Sequence, residues 1–239
     1  MKYGICPLSV VPMRANPAHE SELVSELLFN DIYKIIDENE EWIKIRCCFD
    51  AYEGWIRKLQ HRGISEKEFQ EYITKDKYII NQACIFYNDK ILSFGSKLFE
   101  KTNDSILLRD KFDRQLLVES ALKLKNVPYR WGGKSIMGID CSAFVQLCAK
   151  VAGYKLPRDA SQQVKFGEIV SSLSEAQSGD IAFFENENGR VTHVGILISN
   201  DTIIHASGKV RIDKIDDTGI YNEETKSHTH NLYSIKRLH

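Results

Sequence analysis

The chain has 239 residues, with 32 basic and 33 acidic side chains and a formal net charge of -1. That length suits one large domain or two unequal ones, each able to bury a core. A near-neutral charge with no long run of Lys and Arg argues against a nucleic-acid partner and against docking on an anionic membrane.

The opening MKYGICPLSVVPMRANP is broken by Pro7, Pro12 and Arg14, so it offers no continuous apolar stretch of the kind a leader needs. No later segment approaches the ~18 uninterrupted apolar residues of a membrane span. A soluble, monomeric, cytoplasmic protein is expected, with a periplasmic or secreted location as the alternative if a leader has been removed. Cys6, Cys47, Cys48, Cys84, Cys141 and Cys148 show no repeating spacing, which favours reduced thiols. With no C-x-x-C or H-E-x-x-H, no metal and no cofactor is expected.

From Leu27 to Leu59 short apolar runs alternate with turns: LLF, ND, IYKII, DENEE, WIKIRCCF, DAYEG, WIRKL. In WIKI the side chains at 42 and 44 face away from those at 43 and 45, the period of a half-buried strand. Strands this short hide their edges by closing into a barrel. Residues 1–60 are therefore read as a small β-barrel, and SELLFNDIYKIIDENEEWIKIRCCFDAYEGWIRK resembles a bacterial SH3-like domain. Its Asn30-Asp31 turn departs from the Gly-acid pair usual there. Residues 61–111 read as a β-rich connector: EKEFQEYI is a turn or two of helix, YIINQACIFY and ILSFGSKLF are strands around an NDK turn, and a degenerate second barrel is one arrangement of them.

A different texture begins near residue 112. DRQLLVESALKLKN spaces Leu116, Leu117, Ser120, Ala121 and Leu124 as an amphipathic helix that stops before Pro128. The aromatic-glycine loop PYRWGG follows, then IDCSAFVQLCAKVAG, where Phe144, Leu147, Cys148 and Val151 share a helical face. Asp140 is placed to cap that helix and Gly153 to end it. After LPRDASQQ come strands in GDIAFFE, HVGILIS, TIIHASG and LYSIKRL. Helices first and an antiparallel sheet afterwards make residues 112–239 an α+β domain.

Cys141 thus stands in the first turn of a buried helix, a position that, with an imidazole beside it, lowers a thiol pKa from about 8.5 into roughly 3.5–7.5. Two histidines in the predicted sheet, His193 and His205, are candidates for that imidazole. If the loop joining their strands holds an odd number of residues, His193 falls opposite Ser207 and His205 is its diagonal neighbour on the same face; a one-residue slip separates them. Cys148 reads as a small buried apolar residue, and His228 and His230 as a solvated strand edge.

The ordered motifs YRWGG, DCSAF, LPRDASQQ, GDIAFF, HVGILI and IIHASG resemble the NlpC-type cell-wall peptidases, a rearranged papain-like family with a Cys-His-His set. The resemblance implies Cys141 as nucleophile, His193 as general base and His205 as its orienter, with Tyr129 helping to hold the oxyanion. It implies that Asp140 and Ser142 line a subsite for a free substrate amine and that Trp131 walls it, with Glu22 and Tyr52 contributing from the barrel. Members with an SH3-like barrel resemble this chain most, which implies a γ-D-glutamyl-diamino acid endopeptidase acting on peptidoglycan-derived peptides that begin with L-Ala. Two rivals are a non-enzymatic wall-binding protein, which a complete Cys, His and His argues against, and amidase or acyl-transfer chemistry by the same set.

Overall fold

The computed structural model describes residues 2–239. It divides into two units: one runs to Leu108 and takes in Trp131–Gly138, and the other holds Arg109–Arg130 with Ile139–His239.

The first unit opens with seven strands: β1 (Tyr3–Ile5), β2 (Val10–Arg14), β3 (Leu23–Leu28), β4 (Ile32–Glu38), β5 (Trp42–Cys47), β6 (Glu53–Arg57) and β7 (Arg62–Ile64). They pair antiparallel in the order β3-β2-β6-β5-β4-β1-β7. Alternation decides their faces: in β6, Gly54 and Ile56 are buried while Glu53, Trp55 and Arg57 are half-buried. Val11, Met13, Leu27, Tyr33, Ile43, Ile45 and Ile56 fill the interior of an SH3-like β-barrel. Asn30 adopts a left-handed conformation (φ 62°), and the adjoining Asp31 is buried, accepting from the Leu28 amide at 3.0 Å and pairing with Lys97 at 2.9 Å. So the turn that lacks its usual glycine uses Asn, which tolerates positive φ, and keeps the acid as an internal anchor.

Lys97 comes from the connector, which belongs to this unit. Its helix α1 (Glu66–Thr74) starts at a reciprocal cap between Ser65 and Glu68. Strands β8 (Tyr78–Ile80), β11 (Lys97–Leu98) and β12 (Ser105–Leu107) form a three-stranded sheet, and β9 (Cys84–Tyr87) pairs with β10 (Lys90–Ser93) across a turn where Asn88 has φ 53°. Both sheets stay open rather than closing into a second barrel.

In the second unit α2 (Arg114–Lys123) is capped by Asp113. The chain passes through β13 (Lys134–Ser135) in the first unit and returns by β14 (Gly138–Ile139) to α3 (Cys141–Val151) and the short α4 (Ala160–Gln163). Strands β15 (Glu168–Val170), β16 (Ile181–Glu185), β17 (Val191–Leu197), β18 (Thr202–Ser207), β19 (Lys209–Ile215), β20 (Gly219–Asn222) and β21 (Ser227–Arg237) follow. Their order is β15-β21-β16-β17-β18-β19-β20, and β20 pairs back onto β21. Strands β16 to β21 therefore close on themselves. Ala182, Phe184, Leu197, Ile203, Ile215, Ile220 and Ile235 pack together on the inner face, and α3 lies against β17 and β18. No helix among the described residues is long and apolar enough to cross a membrane.

Candidate active site

Every residue of α3 is buried, which explains why its polar end must be satisfied internally. Asp140 caps it, accepting from the Ala143 amide at 2.8 Å. The same carboxylate is gripped by Arg158, with Nη1 2.9 Å from Oδ1 and Nη2 2.6 Å from Oδ2. Arg158 also donates to Ser142 Oγ at 2.9 Å, and Ser142 to Asp140 at 3.2 Å. Gln163 reaches the Ser142 and Pro157 carbonyls, both at 2.9 Å, tying the segment after Leu156 to the helix start. Arg158 is only 2% exposed, and sequence reading gave it no part. The Asp140 charge expected to meet a substrate ammonium is thus already opposed by a guanidinium.

The pairing of β17 with β18 ends at Gly195 opposite His205. Continued, that register sets His193 against Ser207, the arrangement that keeps both histidines on one face. Where the ladder has opened, Cys141 Sγ lies 3.9 Å from the Thr192 carbonyl, with the Val194 backbone also against it. The nucleophile candidate therefore touches the strand at the residue just before His193.

His193 and His205 continue the inner, period-two face that carries Leu197 and Ile203. His193 Nε2 is 2.8 Å from His205 Nδ1, and His205 Nε2 is 2.9 Å from Asp213 Oδ2. Arg211 Nη2 donates to Asp213 Oδ1 at 2.9 Å. Burial alone would raise the Asp213 carboxyl, but hydrogen bonds from His205 and Arg211 outweigh it and hold it below the usual range. An ionised carboxylate only accepts, so His205 Nε2 must donate to it. That leaves His205 Nδ1 to accept from His193 Nε2, and the lone pair of His193 is forced onto Nδ1. Asp213, two residues away through His205, sets the tautomer of His193.

A third imidazole completes the cluster. His230 stacks on His193 with ring centroids 4.0 Å apart and planes at 27°, and Phe184 lies 5.8 Å from His193. The sequence reading of His230 as a solvated strand edge is corrected: the closure of β20 onto β21 places it opposite Ile220, on the inner face. Asp213, which sequence reading also missed, had a signal. Gly208 (φ +68°) marks a tight hairpin, and counting from it sets Asp213 opposite Ile203, on the face of His205.

The electrostatics differ from those expected of a helix-tip thiol. Burial, reinforced by Asp140, pushes Cys141 up to about 12, outweighing the backbone groups and Arg158 that act the other way. Burial, then His230 and His205, hold His193 well below the ordinary imidazole value. On these shifts both groups are uncharged near neutral pH. Tyr129, held by its amide to the Gly208 carbonyl at 2.9 Å, is raised to about 12 by burial and by Cys141 and Asp140. Near neutral pH the hydroxyl keeps its proton and is available as a hydrogen-bond donor.

The remaining candidates lie in the first unit. Trp131 Nε1 donates to Glu22 Oε1 at 2.6 Å, and Glu26 accepts from the Lys134 amide at 2.7 Å. A Cβ on Gly132 (φ +72°) would lie 2.0 Å from the Leu23 carbonyl oxygen, so only glycine fits that approach. Tyr52 is half-buried against the barrel interior.

Residues 126–229 match the model of the NlpC/P60 family, and residues 13–60 match that of the bacterial dipeptidyl-peptidase Sh3 domain. The chain carries an NlpC/P60 cysteine peptidase domain behind an SH3-like barrel. It is 25% identical over 240 residues to the gamma-D-glutamyl-L-lysine dipeptidyl-peptidase of Bacillus subtilis (strain 168), covering 86% of this chain and 80% of the relative. Dipeptidyl-peptidase 6 of Lysinibacillus sphaericus is also 25% identical, over 256 residues, 87% of this chain and 91% of that protein. The fold is shared with the crystal structure of an NlpC/P60 family protein from Bacillus cereus ATCC 10987, at a TM-score of 0.81 and 17% identity over 98% of this chain and 99% of that one. With the NlpC/P60 domain come cysteine-peptidase hydrolysis and peptidoglycan-related peptides as the general substrate.

Proposed function

We propose that this NlpC/P60 protein hydrolyses the γ-D-glutamyl-diamino acid bond of short wall peptides with a free N-terminal L-Ala, in peptidoglycan recycling or turnover. The observation that carries the mechanism is the Asp213-His205-His193 chain, which leaves the lone pair of His193 on Nδ1. Cys141 Sγ attacks the γ-carbonyl of D-Glu while its proton passes to His193, and Tyr129 donates to the oxyanion. Collapse breaks the C–N bond, His193 gives the proton to the leaving amine, and a thioester remains. Water, deprotonated by His193, then hydrolyses the thioester, releasing L-Ala-γ-D-Glu and returning the proton to sulfur.

The activity for which the Bacillus subtilis relative is named, together with this chain's match to the dipeptidyl-peptidase Sh3 domain, supports the choice of bond. On the amine side, Ser142 and Asp140 are the residues this reading uses. Incubating L-Ala-γ-D-Glu-diaminopimelate with the protein should release the dipeptide, and Cys141→Ala should release none. Equal turnover by both would refute the mechanism. An N-acetylated substrate cut at the same rate would remove Asp140 and Ser142 from amine recognition.

A further inference from the structure

Within the first unit a cavity of ≈ 420 Å³ opens between the barrel and the connector helix α1, and none of the proposed catalytic or substrate-binding residues lines it. Small-molecule sites run from about 300 to 1,000 Å³. The barrel wall is Lys34 on β4 with Arg46, Cys47 and Cys48 at and just past the end of β5, and the helix wall is Phe69, Gln70 and Ile73. Strand alternation sends Tyr33 and Ile45 into the barrel interior, so Lys34 and Arg46 stand on its outer face. On α1, Phe69 is anchored by stacking on Tyr3 with ring centroids 4.0 Å apart, while Ile73, one turn further on, is 42% exposed.

Charge identifies the occupant. Lys34 and Arg46 are paired directly opposite each other across β4 and β5, an arrangement that repels. On its far side Arg46 meets Glu53 of β6, with Nε at 2.8 Å and Nη2 at 2.6 Å from the same Oε1. Glu53 is already shared with Lys44, at 3.2 Å, so three cations lean on one carboxylate. The other cross-strand neighbour of Lys34 is Tyr3, which brings no charge. Both bonds to Glu53 use one edge of the guanidinium, and among the described residues Arg46 Nη1 has no acceptor and Lys34 no acidic partner. No acidic side chain lines the cavity.

We propose that this cavity binds a small amphiphilic carboxylate. Its oxygens accept from Arg46 Nη1 and from the Lys34 ammonium, which relieves the like-charge pair, and its apolar chain covers Ile73 and the edge of Phe69. The planar guanidinium edge suits the two oxygens of a carboxylate. Because one wall belongs to the barrel and the other to the connector, the occupant ties α1 to β4 and β5 and stabilises the first unit. The site uses none of the hydrolytic machinery and does not depend on the reaction assigned to Cys141.

The test titrates octanoate into the whole protein at low salt, beside octanamide, which keeps the chain without the charge, and acetate, which keeps the charge without the chain. Amide shifts in 15N spectra at Arg46, Cys48 and Ile73 are the readout. Octanoate should give saturable shifts there, with a Kd about tenfold below that of octanamide or acetate, and added salt should narrow the gap. In the Lys34→Gln, Arg46→Gln double variant, shown to be folded by the same spectrum, octanoate should bind no better than octanamide. Ile73→Ser should weaken octanoate and leave acetate unchanged. Octanamide binding the wild-type protein as tightly as octanoate would overturn the site, whether or not the variants fold. So would octanoate shifts that fail to saturate or that cluster elsewhere, or an octanoate affinity in the double variant equal to that of the wild type.

Discussion

Replacing Asp213 with Asn isolates the tautomer argument, because it exchanges one oxygen for an NH2 group and changes almost no volume. In the native chain both carboxylate oxygens accept, one from His205 at 2.9 Å and the other from Arg211 at 2.9 Å. Asn has one acceptor for these two donors. If its oxygen stays with Arg211, its amide donates to His205 Nε2, His205 Nδ1 then donates to His193 Nε2, and the proton of His193 moves to Nδ1. The base has lost its lone pair. If the amide flips, an NH2 group faces the guanidinium instead. Recovering the productive tautomer costs a charge-assisted hydrogen bond and leaves a buried donor unpaired, about 3–5 kcal/mol. That corresponds to about 10²–10⁴ in kcat, with KM little altered because Asp213 is buried behind His205. The assay is release of L-Ala-γ-D-Glu followed by mass spectrometry, beside 15N spectra that report which nitrogen of His193 carries the proton. A kcat within threefold of wild type, with His193 still protonated on Nε2, would refute the reasoning.

Other outcomes follow from the same geometry. In His230→Phe the ring stack and its burial persist but the repulsion between two charged rings does not. His193 then takes up its proton at a higher pH, and the acid limb of kcat/KM, set by loss of the neutral base, moves upward; a downward or absent movement counts against the contact at 4.0 Å. Arg158→Met leaves the buried Asp140 carboxylate without its ion, so denaturant unfolding should show a loss of about 3–5 kcal/mol, whereas a loss below about 1 kcal/mol would mean the pair is solvated. Iodoacetamide at neutral pH should label exposed Cys84 well before Cys141, whose thiol is buried and raised to about 12, as peptide mapping would show; faster labelling of Cys141 would point to a resting thiolate.

The parts of the site that local pattern governs were legible. Asp140 before an apolar helical face places Cys141 at a helix start, and the spacing of His193 and His205 allows only two registers, one of which brings them together. What escaped depends on non-local closure. The stretch around His230 alternates polar groups and looks like an edge until β20 pairs with it. Asp213 and Arg211 sit in a strand whose neighbour is known only once the Gly208 hairpin is drawn. Arg158, in a loop, becomes a buried partner of Asp140 because α3 is enclosed on all sides, and that same enclosure reverses the expected thiol acidity. In the barrel, a period of two located the strands, but no local pattern could assign Trp131–Gly138 to that unit, since the tie is Gly132 against Leu23 and Trp131 to Glu22.

The ring of strands from β16 to β21 has a consequence for how this chemistry can be tuned. The wall that keeps solvent from Ile203 and Phe184 also keeps it from the imidazoles, so dryness and basicity share one cause. Hollowing out the interior at Phe184 would let water wet His193 and make it a stronger base without altering any hydrogen-bonding partner. The acid limb of the rate profile is in that sense a gauge of how tightly the strands are sealed.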